Sequence, residues 1–209
     1  MSGLLLVRHA QSVWNATGRW QGWANPPLSP IGEEQARRAA VRLAGAEPFE
    51  LVVTSDLVRA VRTAEILATE LSLPGPINIE PGLREYNVGA WSGCTAEQIE
   101  ARWPGGVARF AQGEPPPDGE DRATFDTRVI AAGRRVAQMA GAARLLVVAH
   151  GGVVRAVARA AGVAEYRVGH LAGYWGEHDE GGLFPKQAVN LQDDEVDADA
   201  GEGAVAPVT

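Results

Sequence analysis

The chain has 209 residues, of which 45% are hydrophobic and 22% charged, and a formal net charge of −7. That is enough chain for one large domain with a substantial core, and an acidic balance without a basic stripe excludes general nucleic-acid binding. No apolar run approaches the roughly 20 residues a membrane helix needs, and a single cysteine, Cys94, excludes an internal disulfide or a multi-cysteine metal site.

The opening "MSGLLLVRHA" has no basic segment ahead of its four-residue apolar run. No signal peptide is therefore expected, and a reducing, cytoplasmic compartment is. "LLLV" at Leu4 to Val7 is the first of three apolar runs read as buried strands. Continuous rather than alternating apolarity suits parallel strands covered on both faces. Ser29 and Pro30 form a cap and first turn, after which Ala36, Ala39, Ala40 and Leu43 recur at helical spacing. "LVV" at Leu51 to Val53 is the second strand. It leads, past Ser55 or Asp56 as a cap, into a stripe of Leu57, Val61, Ala64, Leu67 and Leu71. "INI" at Ile77 to Ile79 is a candidate fourth strand, and "GEPPPDGED" at Gly113 to Asp121 is a Pro/Gly-rich loop. A third helix carries Phe125, Val129, Ala132, Val136 and Met139. "LLVV" at Leu145 to Val148 is the last of the three strong strands, and a fourth helix with Val154, Val157 and Ala161 starts right after His150. Beyond it the chain reads as a hairpin turning at Asp179 to Gly182, followed by an acidic tail without a core stripe, expected to be disordered. Strands alternating with helices predict an α/β fold with a largely parallel central sheet.

Two histidines hold equivalent places: His9 follows "LLLVR" and His150 follows "LLVVA". Ligands in open α/β sheets bind beyond the carboxyl ends of the strands, so the two imidazoles are expected to meet. Arg8 adjoins the first, and Arg59 falls in the first turn of the second helix. Gly151 and Gly152 let the backbone after His150 approach a ligand at a helix amino terminus. Two arginines, two histidines and helix amino termini suit a doubly charged phosphoryl group. Glu85, in "LREYNVG", can protonate a leaving alcohol and then activate water. No metal-ligand spacing occurs, and without a metal a neutral imidazole is a competent covalent nucleophile. Other residues have blander readings. Arg62 is a surface helix residue, His170 and His178 are structural or exposed, and Cys94 is a small loop residue. Trp14, Trp20, Trp23 and Trp91 are packing residues or a pocket wall for an apolar or planar part of a substrate.

The segments "LLLVRHAQSVWNATGRWQGWANPPLSPIGEEQA", "TSDLVRAVRTAE", "LREYNVGAWSG" and "LLVVAHGGVVRAV" together resemble the histidine phosphatase superfamily, the phosphoglycerate-mutase-like proteins, over most of residues 3 to 160. The resemblance implies a three-layer α/β/α sandwich and a histidine-phosphatase-like catalytic domain over 1–192, with 193–209 as the tail. It further implies that His9 is the phosphorylated nucleophile. Arg8, Arg59 and His150 would hold the phosphoryl oxygens, and Glu85 would be the proton donor. Asn15, Ser12, Gln21 and Gly22 would line the phosphoryl and substrate side. The sequence departs from the family pattern at Ala10, where glycine is usual, and at "GED" (Gly119 to Asp121) in place of "GES"; an aspartate can still cap the next helix. The segment after Glu85 is short and carries only Arg102 and Arg109 as cations. The expectation is a metal-independent phosphatase without cofactor, acting on a small phosphorylated metabolite, with no nucleic-acid or membrane partner and with oligomeric state open. A cofactor-dependent phosphoglycerate mutase is the alternative, and a catalytically silent binding module on the same fold is a more distant one.

Overall fold

The computed structural model describes residues 2–164 and 166–192, so the tail at 193–209 lies outside the described residues. The apolar runs form strands β1 (Ser2–Arg8), β2 (Leu51–Thr54), β3 (Ile77–Ile79) and β4 (Leu145–Ala149). The expected hairpin follows as β5 (Ala172–Asp179) and β6 (Gly182–Asn190). They make one six-stranded sheet in the order β3-β2-β4-β1-β5-β6. β3, β2, β4 and β1 pair in parallel, while β5 pairs antiparallel to both β1 and β6, so the sheet is mixed.

Among the described residues six α-helices connect the strands: α1 (Pro30–Leu43), α2 (Val58–Glu70), α3 (Ala96–Arg102), α4 (Gly106–Ala111), α5 (Arg122–Ala140) and α6 (Gly151–Ala160). Strand side chains alternate between faces, which explains the continuous apolarity. Leu5, Val7, Val52, Leu146 and Val148 pack with Ala36, Ala39, Ala60, Ala64 and Leu67 of α1 and α2. Leu4, Leu6, Val53, Leu145 and Val147 pack with Val129, Val136, Val153, Val154 and Val157 of α5 and α6. Helices on both faces of the sheet give three layers. Each buried aliphatic side chain contributes about 1.5–3 kcal/mol by leaving water.

Local chemistry sets the helix starts. Ser29 accepts the Gly32 N–H with Pro30 at the first position, and Asp121 accepts the Thr124 N–H, so the aspartate of "GED" does cap α5. Three details differ from the sequence reading. Met139 is half exposed and Ala161 exposed, because both stripes outrun the neighbours that cover the rest. α2 has no side-chain cap: Leu57 occupies the cap position, and the Ser55 hydroxyl turns instead to His150. The short helices α3 and α4 were not anticipated, although α3 opens on a complete capping box of Thr95 and Gln98.

β1 and β4 are adjacent, yet the helix after β1 covers one face and the helix after β4 the other. That is a topological switch point, where an open sheet leaves a crevice beyond its carboxyl edge.

Candidate active site

The parallel register of β1 and β4 pairs Arg8 with Ala149, and the His9 amide continues it by donating to the Ala149 carbonyl at 2.9 Å. The next residue on each strand is therefore a histidine, and the two rings meet edge to face with centroids 5.2 Å apart. Both are buried, His9 at 2% and His150 at 0% exposure.

His9 Nδ1 lies 2.6 Å from the Ala10 carbonyl oxygen, which can only accept, so Nδ1 carries the proton. The lone pair is then on Nε2, and Arg59 Nε–H donates to it at 3.1 Å. Burial first, then Arg59, His150, Arg8 and His170, hold the His9 pKa well below the ordinary histidine value. Burial and the charges of Arg59, Arg8 and Arg128 do the same to His150. Both shifts favour the neutral imidazole, which is the form a nucleophile needs. Arg59 is 1% exposed and is held by its own hydrogen bonds to the Ala24 and Gly22 carbonyls at 2.8 and 2.9 Å. Arg8 donates to the Val168 carbonyl at 3.0 Å, and its own carbonyl accepts from Leu171 N–H. Ser55 Oγ accepts a weak 3.4 Å bond from Leu57 N–H and meets His150 Nε2 at 2.7 Å. With the Ser55 hydroxyl as donor, the His150 proton sits on Nδ1, a buried atom without a hydrogen-bond partner among the described residues.

Glu85 reaches the crevice from the loop after β3. Its carboxylate accepts from Tyr86 N–H at 2.8 Å and from Gly152 N–H, in the first turn of α6, at 3.1 Å. A Cβ at Gly152 would stand 2.1 Å from Glu85 Oε1, so the approach requires glycine. The pocket in front of these groups is lined by Arg8, Gln21, Gly22, Glu85, Gly151 and Gly152, with Trp20, Tyr86, Val88 and Phe110 as an apolar wall and Arg155 at the side. Among the described residues no group of three or more His, Cys, Asp or Glu side chains is placed to hold a metal ion.

A family model described as the histidine phosphatase superfamily, branch 1, matches residues 4–171. The chain belongs to the histidine phosphatase superfamily. Its curated relatives within that superfamily differ in activity. It is 35% identical over 161 residues to a 2,3-bisphosphoglycerate-dependent phosphoglycerate mutase of Methylobacterium sp. (strain 4-46), covering 74% of this chain and 77% of that protein. It is 36% identical over 168 residues to a glucosyl-3-phosphoglycerate phosphatase of Mycolicibacterium vanbaalenii, covering 75% and 72%. Among solved structures, a mycobacterial glucosyl-3-phosphoglycerate phosphatase complexed with VO3 superposes with a TM-score of 0.76 at 27% identity, covering 90% of this chain and 98% of that one.

In this member of the superfamily His9 contacts both Arg59 and His150, and Arg8 and Glu85 line the pocket. Gly151 separates Arg8 from Arg155: a Cβ there would lie 3.6 Å from Arg8 Cδ and 3.4 Å from Arg155 Nη1. Gln21 and Gly22 line the pocket. Gly22, at φ +51°, also turns the carbonyl that anchors Arg59. Ser12 and Asn15 are buried in a cluster in which the single Ser12 hydroxyl proton is shared between Asn15 Oδ1 at 3.0 Å and Gln21 Oε1 at 2.8 Å, and these contacts brace the loop after His9. Ala10 is fully buried, and its N–H is held by Thr63 Oγ1 at 3.1 Å. His178 is structural, bonding the Ala143 carbonyl at 2.8 Å. His170 is buried against His9 with ring centroids 6.1 Å apart, a neighbour the sequence reading had set aside. Arg62 is a surface residue, paired with Glu33 and Glu65. Sequence reasoning also missed Arg155, whose signal was its place one helical turn beyond Gly151. Ser55, Tyr86, Val88 and Phe110 carried no signal beyond their types.

Proposed function

We propose that this chain is a metal-independent phosphatase that hydrolyses a small phosphomonoester through a phosphohistidine on His9. The observation that carries this reading is the His9 ring: Nδ1–H tied to the Ala10 carbonyl, and Nε2, bearing the lone pair, turned to Arg59. In the first step Nε2 attacks phosphorus and the ester P–O bond breaks. Arg8, Arg59 and His150 Nδ1–H stabilise the phosphoryl oxygens, and Glu85 gives its proton to the leaving alkoxide. In the second step the Glu85 carboxylate takes a proton from water, the hydroxyl adds to phosphorus, and the P–N bond breaks. Phosphate leaves and His9 returns neutral, with Glu85 protonated as it began. Ser12, Asn15, Gln21, Gly22 and Gly151 shape and line the substrate side.

Relatives with mutase activity favour a second reading, in which the phosphoryl group returns to another substrate oxygen. Against it, Arg102 and Arg109, the cations of the segment after Glu85, do not line the pocket. Arg109 instead bonds Glu114 and the Pro104 carbonyl. The test is an alkaline denaturing quench of wild type and His9→Ala after brief exposure to a labelled phosphomonoester, with chelator present. The expected result is acid-labile phosphate on the wild type alone, released to water and not to added phosphoglycerate. Strong turnover by His9→Ala removes the assignment of the nucleophile.

A further inference from the structure

Trp23, 40% exposed beside the crevice, is the one exposed aromatic side chain among the described residues. Its contacts explain the position. Its indole Nε1–H donates to the backbone carbonyl of Glu85 at 2.8 Å. The guanidinium carbons of Arg84 and Arg128 lie 5.0 and 5.7 Å from its ring centroid. Arg128 also donates to the Glu85 carbonyl, at 3.3 Å, and pairs with Glu120; Arg84 pairs with Asp56 at the end of β2. The backbone on either side of Trp23 faces the other way. The carbonyls of Gly22 and Ala24 are the two that grip Arg59, whose Nε–H meets the nucleophilic nitrogen of His9.

We propose that Trp23 is a positioning residue that sets the distance between the acid and the nucleophile. The peptide from Gly22 to Ala24 holds the phosphoryl-binding arginine with its main chain and the acid's loop with its side chain. Gly22 also packs closely on the segment after Glu85, where a Cβ would meet Val88 N at 2.9 Å and Tyr86 O at 3.1 Å, and Trp23 adds the hydrogen bond to the Glu85 carbonyl itself. The donor-only indole is suited to this: it can bond the Glu85 carbonyl without competing for the carboxylate. Its ring face, against two guanidiniums, keeps it in place although it is partly in water. The inference rests on the reading of Glu85 as general acid.

The test uses the full chain with Trp23→Phe, which keeps a ring for the guanidiniums and removes the N–H, and Trp23→Ala, which removes both. Phosphoryl transfer to His9 is measured in single turnovers with an alkyl phosphate, whose leaving group needs a proton, and a nitrophenyl phosphate, whose leaving group does not. The loss of one hydrogen bond predicts a fall of about five- to ten-fold for the alkyl ester in Trp23→Phe, and a larger one in Trp23→Ala. The nitrophenyl rate and the melting temperature should stay near wild type, since the side chain is partly exposed. Equal losses for the two esters would mean that Trp23 acts on the phosphoryl site or the fold, and unchanged alkyl transfer would mean that the bond is idle; either overturns the proposal. Glu85→Gln in the same assay separates the two layers. If it slows both esters alike, Glu85 is not the acid and Trp23 has no acid to position. If it slows only the alkyl ester while Trp23→Phe does not, the reading of Glu85 stands and that of Trp23 falls.

Discussion

Gly152→Ala is the smallest change that should misplace the acid. A Cβ at this position would sit 2.1 Å from Glu85 Oε1 and 3.1 Å from Phe125 Cζ. An unstrained contact needs roughly 3.5 Å, so the carboxylate has to retreat by more than about 1 Å. Phe125 is 2% exposed in the core and cannot give way as easily, so the displacement falls on Glu85. The bonds from Tyr86 N–H and Gly152 N–H, at 2.8 and 3.1 Å, are lost or lengthened. A catalytic group displaced by about 1 Å costs on the order of 10²-fold. The helix itself should tolerate the change, because alanine favours a helix by about 1 kcal/mol over glycine. The expected outcome is a near-native melting temperature with a fall of roughly 10²-fold in single-turnover transfer from an alkyl phosphate to His9, and a much smaller fall with a nitrophenyl phosphate. Rapid alkaline denaturing quench with labelled ester reads both. Transfer from the alkyl ester within about three-fold of wild type would refute the reasoning, since general-acid contributions are typically ~10²- to 10⁴-fold and the carboxylate could then stand elsewhere without penalty.

Ser55→Ala should release the tautomer of His150 and slow phosphoryl transfer about ten-fold for alkyl and nitrophenyl esters alike, because the loss is in phosphoryl binding and not in the acid; ¹⁵N shifts of the His150 ring check the tautomer, and an unmoved Nδ1–H signal would count against it. Burial depresses the pKa of His9 and His150 below 6.5, so the unfolded chain takes up protons there before the folded one does. Stability from this source is complete above that value and is lost as pH falls below it. Urea unfolding at about pH 7.5 and about pH 5 should show the loss, and His150→Gln should lose less than wild type over the same interval; equal slopes would contradict the assignment.

Much of the site was legible because its residues lie at strand ends. The apolar runs ending at Val7 and Val148 located two buried strands, and His9 and His150 followed each at the same offset. Glu85 was harder to see: it stands on a loop, and its distance to α6 depends on Gly152 lacking a side chain. The resemblance puts Ser12 and Asn15 on the substrate side, whereas Ser12 Oγ contacts Asn15 and Gln21, which a linear pattern does not reveal.

The amino-acid sequence by itself determined the strands and the four longer helices, α1, α2, α5 and α6, since their apolar period is local, and which residue types could handle a phosphoryl group. Only the tertiary structure decided that β1 and β4 are neighbours in parallel register, which turns two distant histidines into a pair. It likewise decided that His170 backs the nucleophile, that Ser55 serves His150 instead of capping α2, and that Trp23 spans from the Arg59 anchor to the Glu85 loop. These contacts join residues tens of positions apart through the packing of layers, and no local periodicity encodes them.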